Sequence, residues 1–119
     1  LKIKGAFHFD EGFYYFRNVG DRVLFGGGRN LDFEGEETSE FGLTPNIQDT
    51  LEQLLTSVIL PDTPFNIEQR WAGIMGFSTT KMPVVTRPTE RITVGFGCNG
   101  MGVALGSEIG STAAALCCA

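Results

Sequence analysis

The sequence predicts an α+β protein, a mainly antiparallel sheet with two helices packed on it. Three observations carry this. Short aromatic and β-branched runs follow one another without an intervening helical period. One later segment places apolar residues at helical spacing behind a Thr-Pro start. A glycine- and alanine-rich helical segment then follows the last strand-like run. At 119 residues the chain is expected to form a single domain, 1–119, with a core of useful size.

His8, flanked by Phe7 and Phe9, reads as a strand residue, since no matched acid or nucleophile lies near it in sequence. Phe13-Tyr14-Tyr15-Phe16, Asn18-Val19-Gly20-Asp21 and Val23-Leu24-Phe25 then read as strand, turn and strand of a hairpin. Its first strand is aromatic at both alternations. A strand wet on one side alternates apolar with polar, so here both faces are covered or one lines a cavity. Gly26-Gly27-Gly28-Arg29 ends the hairpin, and the acid-rich stretch from Glu34 to Glu40 is a solvated loop.

Thr44 as N-cap and Pro45 at the first helical position open a helix whose stripe is Ile47, Leu51, Leu54, Leu55, Val58 and Ile59. Asp49, Glu52 and Gln53 fall outside the stripe, and Pro61 ends the segment. Phe65, Ile67, Gln69 and Trp71 alternate with Asn66, Glu68 and Arg70, which predicts a half-buried strand. Two further strands are expected at Pro83–Val85 and Ile92–Val94, with a turn at Arg87–Glu90 between them. The last helix, about Met101 to Cys117, has Glu108 as its one charged residue and is small-sided nearly all round. Such a helix expects cover on every side, more than one sheet in a chain of this size provides.

Charge and composition exclude several classes. The net charge is −5 with no cluster of Lys or Arg, which argues against nucleic-acid and anionic-membrane partners. No apolar run approaches the length of a membrane span. Cys98, Cys117 and Cys118 lack CxxC spacing, so neither a zinc site nor a disulfide framework is indicated, and reduced thiols fit best. With no leader-like segment at Leu1, the expected location is cytoplasmic.

Gly95, Gly97 and Gly100 satisfy G-x-G-x-x-G, but no second strand follows and no acid lies about 20 residues on, so this is not a dinucleotide-binding unit. What remains is side-chain-free backbone entering a helix start, where open N–H groups and the positive end of the dipole favour an electron-rich group.

The run Trp71 to Val85, followed by Gly95-Phe96-Gly97-Cys98-Asn99-Gly100-Met101-Gly102, resembles the C-terminal part of FAD-dependent oxidoreductases of the D-amino acid oxidase, glycine oxidase and sarcosine oxidase group. The resemblance implies a fragment of a two-domain flavoenzyme: a substrate-domain half plus the closing helix, with the N-terminal FAD-binding domain absent. It implies FAD contact at Asn99, Gly100, Met101, Gly102, Val103 and Ala104, whose backbone would face the pyrimidine edge of the flavin. It places Tyr15 and Met75 at the substrate. Relatives commonly carry an arginine at the position of Met75, or a lysine at that of Gly102, to hold a substrate carboxylate. Both anchors are missing, so a simple amino acid is not the expected substrate. Lys81 stands where many relatives have an aspartate, and Cys98 reads as a small buried residue near the flavin edge.

The activity implied is hydride transfer from a small amine or hydroxy substrate to FAD, with the isolated fragment inactive and self-associating through uncovered apolar surface. The alternative is a non-enzymatic α+β binding or oligomerisation module in which the glycine turn is purely structural.

Overall fold

The computed structural model describes residues 2–118. The chain divides into two compact units, Leu1–Ala72 and Gly73–Ala119. Each unit has its own antiparallel sheet and its own helix, so the class is α+β with two sheets.

In the first unit β1 (Ala6–Phe9), β2 (Tyr14–Val19) and β3 (Arg22–Gly27) form an antiparallel sheet in that order. The predicted hairpin is β2–β3, with Phe16 opposite Phe25 and Tyr14 opposite Gly27. His8 lies in β1 opposite Tyr15. Strand alternation puts Phe9, Tyr14, Phe16 and Phe25 on one face, where the Phe9 and Tyr14 rings stack at 4.8 Å and Phe16 meets Phe25 edge-on at 6.3 Å. Tyr14, 5% exposed, is the buried aromatic of this face, and Ile47 of the helix Pro45–Leu54 is buried near it, both being close to Gly28. The opposite face carries His8 and Tyr15, and Tyr15 is 44% exposed, so within this unit only one of the two aromatic faces is covered.

Gly27 lets the hairpin close beside the chain entering β2. At its φ of 120° a Cβ would lie 1.9 Å from the Phe13 carbonyl oxygen, a position no side chain can take.

The predicted first helix is α1 (Pro45–Leu54), which runs on through a wider π turn, Leu55–Ile59. Thr44 is at the N-cap position, but its hydroxyl donates to Glu36 Oε1 at 2.5 Å instead of capping. Ile47 and Ile59 are buried, Leu51, Leu54 and Leu55 half-buried, and Val58 exposed. A π turn advances fewer degrees per residue than an α turn, which carries Val58 off the stripe.

The predicted strand at Phe65–Trp71 is not formed, and that expectation is corrected. The segment is irregular, pairs with no strand among the described residues, and leaves Phe65, Ile67 and Trp71 exposed. Polar side chains tether it instead: Arg70 donates to Gln48 at 2.8 Å and pairs with Glu52, and Glu68 pairs with Arg22 at 3.1 Å. An alternating pattern specifies which side chains are apolar, while a strand also needs a neighbour with a free edge.

In the second unit β4 (Val84–Thr89) and β5 (Ile92–Phe96) form a hairpin with Val84 opposite Phe96. The register breaks between Thr86 and Thr89, around Pro88, which has no N–H to give the ladder. The final helix, α2 (Gly102–Cys118), rests Leu105, Ile109, Ala113 and Leu116 on this hairpin at 4/4/3 spacing. Its remaining residues are exposed, Val103 completely. Arg87 on β4 donates to the Leu116 carbonyl at 3.1 Å and to the Glu90 carbonyl at 2.6 Å, placing a cation at the negative end of the helix. No helix among the described residues is long and apolar enough to cross a membrane.

Candidate functional site

Between β5 and α2 the backbone turns through Gly97, Asn99 and Gly100, whose φ values are 77°, 52° and 82°. Glycine adopts this left-handed region at little cost and asparagine tolerates it better than other residues, so the run Gly97-Cys98-Asn99-Gly100 makes a sharp corner ahead of the helix.

The backbone donors of the corner divide into two sets. The Asn99 N–H donates to the Gly76 carbonyl at 3.2 Å, Met101 to Cys98 at 2.8 Å, and Ala104 to Met101 at 3.0 Å. The N–H groups of Gly100, Gly102 and Val103 have no partner among the described residues. These three residues are exposed, and α2 has no acidic residue in its first turn to cap them. Three open donors at the positive end of a 17-residue helix form an electropositive patch.

The chain's own packing does not demand glycine at 102. A Cβ there would lie 3.6 Å from Cys98 Cβ, an ordinary contact. Its absence leaves the donors approachable from outside.

The sequence-predicted residues fall as follows. Asn99 to Ala104 form one corner, though only Gly100, Gly102 and Val103 present free amides. Met75 joins them, since a Cβ at Gly100 would lie 3.9 Å from its Sδ. Cys98 is half-buried and free, and Lys81 lies exposed in the turn that its N–H closes to Ser78 at 3.0 Å. Tyr15 belongs to the first unit, where its ring lies across Gly26; a Cβ at that glycine would come within 3.0 Å of the Tyr15 hydroxyl.

Ser78 is the residue sequence reasoning missed. Its N–H donates to Asn99 Oδ1 at 2.8 Å and its hydroxyl to the Met82 carbonyl at 2.7 Å. The turn-forming run Ser78-Thr79-Thr80-Lys81 marks a loop, but nothing local marks which distant residue it holds.

A helix that opens on bare glycine amides at the end of a strand has the electrostatics that suit an electron-rich group. The model of the DAO family, described as FAD dependent oxidoreductase, matches residues 3–116, and the chain belongs to that family. Neither curated proteins nor solved structures give a significant match. The open amides fit the cofactor of the family, whose ring edge offers acceptors to backbone donors.

Proposed function

We propose that this chain is the substrate-domain half and closing helix of a flavoenzyme of the D-amino acid, glycine and sarcosine oxidase group, and that an FAD-binding domain outside this sequence holds the rest of the cofactor. The observation that carries the reading is the trio of unpartnered amides at Gly100, Gly102 and Val103, together with the family match.

Bound FAD would supply the redox chemistry, taking a hydride from a C–N or C–O bond of a small substrate. The chain's part is electrostatic. The three N–H groups would orient the pyrimidine edge of the ring, and the α2 dipole would stabilise the negative charge that develops there. The donors are fixed before reaction, so no reorganisation is required of them when charge appears.

Met75, beside Gly100, gives the site a flexible apolar side chain where relatives place a carboxylate-binding arginine. The substrate proposed is therefore an amine or hydroxy compound not held through a simple amino acid carboxylate. A cytoplasmic location accords with Cys98, Cys117 and Cys118, all free thiols.

The test is Gly102→Asp in the full-length flavoprotein. A carboxylate among the three donors is expected to weaken FAD retention or make the flavin midpoint potential more negative. Wild-type flavin content and potential in this variant would remove the assignment.

A further inference from the structure

We infer that Asn99 is a positioning residue for the flavin contact, acting through its carboxamide to hold the open amides of Gly100, Gly102 and Val103 in place; this rests on the flavin reading above.

The resemblance placed Asn99 among the backbone contacts, but its N–H is already engaged with Gly76. Its side chain reaches two other segments. Oδ1 accepts from the Ser78 N–H at 2.8 Å, while Nδ2 donates to the Gly97 carbonyl and lies 3.4 Å from Ser78 Oγ. An asparagine carboxamide has two donors and one acceptor oxygen, and here both of its atoms are engaged. Ser78 is anchored in turn through its hydroxyl to Met82, so the loop that receives Asn99 is itself tied down.

The need for such an anchor follows from the neighbours. Gly97 and Gly100 flank Asn99 with positive φ and no side chains, which makes the corner geometrically possible but leaves it without side-chain restraint. The free amide of Gly100 directly follows Asn99, and those of Gly102 and Val103 follow within one turn. Rotation of the corner would therefore misdirect all three donors together. Asn99 joins Gly76, Ser78 and Gly97 and closes that freedom.

Asn99→Gly in the full-length flavoprotein separates the side chain from the backbone, because glycine keeps the left-handed conformation and removes only the carboxamide. FAD is expected to dissociate about tenfold more readily, the scale of one net hydrogen-bonding interaction lost, with the midpoint potential shifted in the same negative direction as in Gly102→Asp. A residue that merely stabilised the fold would lower the melting temperature of the protein and leave the potential unchanged. Wild-type retention and potential in Asn99→Gly, while Gly102→Asp alters them, overturns this inference and leaves the flavin reading standing. Wild-type values in both variants overturn both. Where Asn99→Gly does not fold, Ser78→Ala, which removes only the hydroxyl, takes its place; a smaller shift in the same direction supports the inference and no shift overturns it.

Discussion

Gly95 on β5 lies directly beneath Ile109 of α2: a Cβ at residue 95 would come within 2.6 Å of Ile109 Cγ2. The first glycine of the G-x-G-x-x-G run thus serves helix-to-strand packing. Ile109 is β-branched and stiff in a helix, so its methyl group yields little. Gly95→Ala is expected to destabilise the protein by about 1–3 kcal/mol, the usual cost of overpacking. Urea unfolding measures this directly, and pairing the change with Ile109→Leu, which removes the branch at Cβ, should recover part of the loss. Strict additivity of the two changes would argue that the contact is not the cause.

Tyr14 gives the fold an alkaline limit. Burial, with the Asp10 carboxylate adding to it, pushes the Tyr14 hydroxyl above its ordinary value near 10. A proton held more tightly by the folded state than by the unfolded one contributes stability that is complete below the unfolded value. That contribution is lost as pH rises through the folded value. Urea midpoints should therefore decline above about pH 10 in the wild type and decline less steeply in Tyr14→Phe. Equal slopes in the two proteins would show that other groups set the alkaline limb.

The isolated chain is expected to self-associate. Val103 and the small residues around it leave the outer side of α2 uncovered within its own unit, and Phe41, Trp71 and Met82 add exposed apolar area. Light scattering should give a mass above the monomer that rises with concentration, together with binding of an apolar dye. A clean monomer without dye binding refutes the expectation.

Much of the first unit was legible locally. The aromatic runs around Asn18 to Asp21 specify the β2–β3 hairpin, and Thr44-Pro45 with the apolar stripe specifies α1, because turn chemistry and a 3.6-residue period act between near neighbours in the chain. The segment at Phe65–Trp71 has as clear an alternation as any strand here and forms none, since a ladder depends on an edge elsewhere in the chain.

The corner at Asn99–Ala104 shows the same division. Its glycines, its helix start and its poverty in charge are properties of the residues themselves, and the sequence alone determined that bare backbone meets a helix there. Tertiary structure decided which amides remain open: Asn99 turns its own N–H to Gly76 and its carboxamide to Ser78, about 20 residues back in the chain, and Gly95 makes room for Ile109. Local pattern records conformational preference, whereas the pairing of each donor and the filling of each gap depend on which distant atoms the fold brings within about 3–4 Å.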